Sequence, residues 1–374
     1  MKKKTLLLIM VTSIIFLTGC WDMVEINQRI FPYSIGVDIN EGGDGGKYLV
    51  TISYPNINAI GKNASQKEQT YIISTTATSI FEGSRHLSTR VQYPFYFKHL
   101  RVLVLGEDLA KDEVLVRQVM DGLNRDFAIS KKVEIVVAEG KAKDLIETKT
   151  KRQEVIEGTI FALVRNDKAS ARFKSQTLTD FIRSTDANGV ALVPKAVSKK
   201  DEIKISGGAL FKKYKFIGYI GELENRAISM VKGKVRRELV ETDHNGVTLS
   251  YSITDLRASK NLITTEEGMK IRISIRTEGS LQEYILEDRP TINTDEVLNS
   301  MEKAVEKQLK KELEKTIEVL QQKYNADALG IAEYLSKFHP RVWKEVEKDW
   351  DTIFPNIDFE VSVDVKMRRR GFIQ

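Results

Sequence analysis

The sequence predicts an α+β protein of two to three domains, each a mixed or antiparallel β-sheet with helices packed on it. Three observations carry this reading. At 374 residues the chain exceeds what one core organises, since cores stop growing beyond about 250–300 residues. Short β-prone runs are interleaved with helical spacing up to Val197, whereas strands crowd the segment beyond Ile203. A long helix, 293–324, follows those strands. The composition, 41% hydrophobic and 29% charged with mean hydropathy -0.28 and 7 prolines, excludes disorder, collagen-like repeats and a polytopic membrane protein.

Lys2, Lys3 and Lys4 precede an apolar run, Leu6 to Leu17, that is short for a bilayer span and ends in small residues. Residues 1–19 therefore read as a lipoprotein signal peptide. Its exit, Leu17-Thr18-Gly19-Cys20, holds the single cysteine of the chain and matches the bacterial lipobox. Cys20 is the expected lipidation site, S-diacylglyceryl and N-palmitoyl; the alternative is an ordinary signal peptide with an incidental cysteine. Each buried methylene contributes about 0.8 kcal/mol, so two or three chains hold a protein durably where one does not. A lone thiol excludes an intrachain disulfide framework. Loss of the three leader lysines lowers the formal charge from +6 to +3, too little to argue for a polyanionic partner.

Tyr33 to Ile39 and Lys47 to Tyr54 bracket Glu41-Gly-Gly-Asp-Gly-Gly46 and read as a hairpin. A phosphate cradle would need a helix after the glycines, and a strand follows. Thr70 to Thr76 reads as a strand, and Thr78 to Thr89 as a helix. Leu100 to Leu105, Asp112 to Arg125 and Val133 to Ala138 form a strand–helix–strand crossover with Val116, Val119, Met120 and Leu123 on the buried side of the helix. Tyr93 to Arg101, dense in aromatics, reads as a buried strand, with a contact surface for a membrane partner as its alternative. Helical spacing over Gln153 to Val164 and Leu178 to Arg183 gives way to extended character from Gly189 to Val197.

The main division is placed near Ser198, giving regions 20–198 and 199–374, with a further division near 57–69. Short strands are expected at Ala209 to Lys212, Phe216 to Ile220, Lys234 to Val240, Gly246 to Ile253, Ile271 to Ile275 and Leu281 to Leu286. Asn293 is the expected cap of the long helix. Its apolar residues Val297, Met301, Val305, Leu309, Leu313 and Ile317 recur every four positions, so the stripe rotates by roughly 40° per step and meets different partners at its two ends. Ala326 to Lys337 and Arg341 to Trp350 read as helices separated by His339-Pro340, and Phe359 to Met367 as a strand with one buried face.

Two sets of residues resemble a known family. Gly19-Cys20-Trp21-Asp22, Glu25-Ile26-Asn27 and Gly36-Val37-Asp38 form the first. Gln322-Lys-Tyr-Asn-Ala-Asp-Ala-Leu-Gly330, Trp343 and Trp350-Asp-Thr-Ile-Phe-Pro355 form the second. Together they resemble the Ger(x)C proteins, the lipoprotein C subunits of spore germinant receptors. The resemblance implies three sheet-and-helix domains, two integral membrane partners of A and B type, and a position in the inner spore membrane.

No catalytic or metal-binding pattern stands beside it. His86, His99, His244 and His339 are isolated, with no second thiol and no HExxH. Glu82-Gly-Ser-Arg85 lacks the second glycine of a nucleophile elbow, and no nucleic-acid platform suits an exported protein. The expectation is a non-enzymatic, lipid-anchored subunit without cofactor, on the outer face of the membrane. Direct small-molecule binding stays open, and a solute-binding lipoprotein delivering a nutrient to a permease is the alternative. Lys366 to Arg370 reads as a solvated strand end, with anionic headgroups as its functional alternative.

Overall fold

The structure, a computed structural model, describes residues 25, 28–56, 70–150, 158–168, 170–265, 268–284 and 295–368. Its larger sheet contains β1 (Ser34–Ile39), β2 (Tyr48–Pro55), β3 (Thr70–Ala77), β4 (Val102–Leu105), β5 (Glu134–Ala138), β6 (Val190–Lys199), β7 (Glu202–Lys212) and β8 (Lys215–Ile220). The strand order is β3-β2-β1-β4-β5-β6-β7-β8, with β1, β4, β5 and β6 successively parallel and the flanking pairs antiparallel. The expected hairpin at 41–46 joins β1 to β2, and Gly43, Gly45 and Gly46 take the positive φ that such a turn needs.

Parallel strands buried on both faces need apolar residues at every position, which Val102-Leu-Val-Leu105 supplies. Leu103, Leu105, Ile135 and Val137 face one core, shared with α1 (Ile80–Ser88), α2 (Glu113–Arg125) and, after two shorter helices, α5 (Leu178–Asn188). Val102, Val104, Val136 and Ala138 face the other, under those shorter helices, α3 (Ala142–Glu147) and α4 (Thr159–Val164). On α2 the buried residues are Val116, Val119, Met120 and Leu123, the set its spacing predicts.

The second sheet, ordered β12-β11-β10-β9, contains β9 (Glu238–His244), β10 (Val247–Thr265), β11 (Gly268–Tyr284) and β12 (Asp358–Met367). Sequence spacing divides this region into short strands, but β10 and β11 run 19 and 17 residues. The face that β11 shares with β12 is charged: Arg272 pairs with Glu360 at 3.0 Å and, beyond the expected strand end at Ile275, Arg276 pairs with Asp364 at 2.8 Å.

On this sheet lie α6 (Glu222–Val231), absent from the sequence reading, and α7 (Asp295–Glu318). α7 continues into a wider π turn over Val319–Lys323, so helical structure ends one residue short of the expected 324. Asn293 lies outside the described residues. The predicted stripe is buried from Met301 to Ile317. Towards its start α7 seals the edge strand: the Glu302 and Glu306 carboxylates accept the Met367 and Val365 amides at 2.8 and 3.1 Å. Towards its end α7 meets α6 instead.

The expected division near Ser198 coincides with the turn between β6 and β7, which pair from Lys199↔Glu202 to Val190↔Lys212, so one sheet crosses it. Residues 57–69 lie outside the described residues, and the strands on either side of them pair at Pro55↔Thr70. Helix α8 (Ile331–Phe338) starts later than Ala326 because residues 326–330 form the turn that caps it. Among the described residues no helix is long and apolar enough to cross a membrane.

Candidate functional site

The Gly36-Val37-Asp38 motif is a joint within the first sheet. Asp38, at the end of β1, accepts the Ala142 and Lys143 amides at 2.7 and 3.0 Å and so caps α3 from more than a hundred residues away. Burial pushes its carboxyl above the usual aspartate range, against the opposing pull of those two amides. Glycine is required around it. A Cβ on Gly36 would meet Ile146 Cδ1 at 2.7 Å, and one on Gly106 would meet Asp38 Oδ1 at 1.9 Å.

The second motif block joins the two sheets. Tyr324 donates its hydroxyl to the Tyr219 carbonyl of β8 at 2.7 Å, and Asn325 donates to the Asp351 carbonyl at 2.7 Å. Buried Gln321 donates to the Phe354 and Ile357 carbonyls at 2.8 and 2.9 Å. Buried Asp327 accepts the Ile331 and Ala332 amides at 3.0 and 2.6 Å, capping α8 as Asp38 caps α3. Lys212 of β7 reaches Asp351 at 2.8 Å. Beside these contacts lies a groove of about 430 Å³ lined by Asp186, Lys213, Tyr214, Trp343 and Trp350 among others. Asp38, Tyr324, Asn325 and Asp327 of the motif blocks are thus each tied by a bond within the fold, and residues 19–22, 26 and 27 lie outside the described residues.

A buried ionic cluster reinforces the joint. Arg226 of α6 donates to Glu312 of α7 at 2.6 Å and to the Leu239 carbonyl at 2.9 Å, and lies 3.5 Å from Glu238 of β9. Glu238 also accepts the Ala171 amide at 2.6 Å, tying the segment before α5 to the second sheet. Sequence reasoning did not single out these residues. Glu222 and Glu224 opening a helix, Ala227, Ile228 and Val231 at helical spacing, and Gly233 beyond could have revealed α6.

Three of the histidines sit in local contacts. His244 meets Ser300 at 2.9 Å, His339 meets Tyr334 at 3.0 Å, and His86 lies 3.9 Å from Glu82. Among the described residues no three His, Cys, Asp or Glu side chains are placed to hold a metal ion. A cleft of about 590 Å³ over the α3–α4 face is lined by Ser34, Ser53, Glu147, Lys149 and Phe161 among others, and the two serine hydroxyls bond each other at 2.6 Å.

Glu134 is a carboxylate displaced far from ordinary behaviour. Burial, with Asp167 nearby, pushes it up to about 7. The folded chain therefore holds a proton that the unfolded chain releases from about pH 4.5, and stability falls as pH rises through the window to about 7. Glu134→Gln is expected to raise the urea midpoint relative to the parent above that window and to leave it nearly unchanged below it. Equal effects in acid and alkali would refute the assignment.

Tyr93 to Arg101 is not the buried strand its apolar content suggests. Phe95 makes a single bridge with Ile30, residues 97–99 form a 3-10 turn, and the rings are half-buried. Phe31 packs edge-on against Tyr96 and His99, at 5.7 and 5.2 Å between centroids. The Arg29 guanidinium lies 4.3 Å above the Tyr96 ring, and Lys98 lies 5.7 Å from it. Arg29 and Phe31 were not singled out in the sequence because they join the cluster only through the fold. Of the terminal basic run, Arg368 pairs with Glu278 at 2.8 Å, as a solvated strand end would. Cys20 lies outside the described residues, as do Arg369 and Arg370.

Comparison with known proteins matches both halves. Residues 22–197 match the spore germination protein N-terminal domain, and residues 206–371 match the spore germination B3/GerAC-like C-terminal domain. Spore germination protein B3 of Bacillus subtilis (strain 168) is 22% identical over 382 residues, covering 100% of each chain. Spore germination protein A3 of the same organism is 23% identical over 370 residues, covering 98% of each. The crystal structure of the GerBC protein superposes with a TM-score of 0.60 at 21% identity, covering 90% of this chain and 97% of that one. That likeness establishes a shared fold. The two domain matches, in order and together spanning nearly the whole sequence, place the chain in the Ger(x)C family of spore germination proteins.

Proposed function

We propose that the chain is a lipid-anchored, non-enzymatic subunit of a spore nutrient-germinant receptor complex, required for nutrient-triggered germination. The observation that carries this reading is the pairing of family membership across both halves with a lone cysteine at the lipobox position. As the family resemblance implies, its partners are two integral membrane subunits of A and B type. Its place is the outer face of the inner spore membrane.

The tether supplies a physical mechanism. Acyl chains on Cys20 confine body and partners to one lipid surface, which raises their effective concentration and lets modest contacts sustain a stable complex. The body contributes shape: motif residues spent on capping and cross-linking hold two sheets in a fixed relation. The sheets differ in size and strand order, which argues against the paired similar lobes of a solute-capture protein.

Cys20→Ala is expected to abolish acyl labelling, release the chain from spore membranes and weaken nutrient-triggered germination. Normal germination in that mutant would show the anchor to be dispensable.

A further inference from the structure

We propose that the ring-and-cation patch formed by Arg29, Phe31, Tyr96, Lys98 and His99 docks against an anionic bilayer surface and sets the orientation of the body, an inference that rests on the lipid-anchored reading above. Its first support is position. The patch lies where the described chain begins, stitched there by the Ile30 amide to the Pro94 carbonyl at 3.0 Å and the Tyr96 amide to the Ile30 carbonyl at 2.7 Å. Cys20 precedes Gln28 by eight residues, which span at most about 29 Å fully extended. An acylated Cys20 would keep Gln28, the residue before the patch, within that distance of the lipid.

Charge is the second support. From Gly83 to Gly106 the chain carries Arg85, Arg90, Lys98 and Arg101 with no aspartate or glutamate. Lys98 and His99 are exposed at the tip, and Arg29 joins them from the other segment. Of these cations Lys98 sits with Arg29 on Tyr96, and that pair is attracted to anionic headgroups, whereas Arg101 lies over Phe161 and Arg90 bonds the Ser74 carbonyl.

Ring chemistry is the third. Half-buried Phe31 and Tyr96 present an apolar body beside a polar rim, the amphipathic character that settles at a headgroup boundary. Cations stacked on the rings can stay in the phosphate layer while the rings sit deeper. A few such groups bind weakly alone, so retention falls to the acyl chains and orientation to the patch.

The test uses a chain beginning at Trp21, which keeps every described element, with Tyr96→Trp as a local fluorophore. Titration with vesicles of equal parts phosphatidylglycerol and phosphatidylcholine is expected to shift its emission to the blue, and added salt to reverse the shift. Arg29→Gln and Lys98→Gln should each weaken binding about fivefold, with an unchanged thermal midpoint. Pure phosphatidylcholine should bind least. An unshifted spectrum, or binding indifferent to lipid charge and to Lys98→Gln, overturns the inference and leaves the patch as a protein contact. Because this chain lacks Cys20, its failure leaves acylation untouched. Conversely, an unmodified Cys20 thiol in spores would sink the anchor without altering the vesicle titration.

Discussion

Arg226→Ala is expected to destabilise the protein by about 3–5 kcal/mol, the usual cost of removing one partner from a buried ion pair. Arg226 and Glu238 are nearly fully enclosed, at 3% and 5% exposure, so truncation strands the Glu312 carboxylate where water cannot readily replace the guanidinium and leaves Glu238 with the part-exposed Arg172, 3.5 Å away, as its remaining cation. It also leaves the Leu239 carbonyl without its donor. The urea midpoint measures the loss. In a Glu312→Ala background the same substitution should cost less, because the carboxylate it would strand is already gone. A loss below about 1 kcal/mol in the parent, typical of an exposed pair, would mean the cluster is solvated and the joint is held by apolar packing alone.

Asp38→Ala comes next in size. It deprives the Ala142 and Lys143 amides of their shared acceptor, at about 1–3 kcal/mol for each donor left buried and unpaired. Gly106→Ala should reproduce much of this without touching a charge, since its methyl would occupy the space of Asp38 Oδ1. Hydrogen exchange separates capping from general destabilisation. Residues 142–147 should lose protection first in both variants, while β4 keeps its own. Unchanged exchange at Ala142 and Lys143 in Asp38→Ala would remove the capping role.

The elements legible in the sequence are those whose local pattern and tertiary role agree. The buried residues of α2, the 41–46 hairpin and the rotating stripe of α7 all follow from spacing alone, because each face meets the core its period predicts. Three features escaped for identifiable reasons. Helix α6 is short, and Arg226 in its middle reads as a surface residue until Glu238 and Glu312 surround it. The polar reach of β11 resembles a loop because charge pairs across to β12, such as Arg276 with Asp364, replace apolar burial on that face. Tyr93 to Arg101 reads as a strand because rings suggest interior, yet its Pro94 and the turn at 97–99 keep it at the rim.

The site was legible in a different sense. The motif blocks are visible as words, but their roles are long-range bonds, such as Asp38 to α3 or Tyr324 to β8, and no one-dimensional pattern encodes a partner a hundred residues distant. Arg29 joins Tyr96 in the same way, across more than sixty intervening residues.

The β6–β7 hairpin has a practical corollary for dissecting this protein. The two domain matches meet in the gap between residues 197 and 206, an inviting place to cut. Scissors there would separate two strands that share a continuous ladder, giving the upstream fragment a raw edge at β6 and the downstream fragment a detached β7–β8 ribbon. Half-length preparations would inherit sticky margins, and insolubility in them would report the cut rather than the protein.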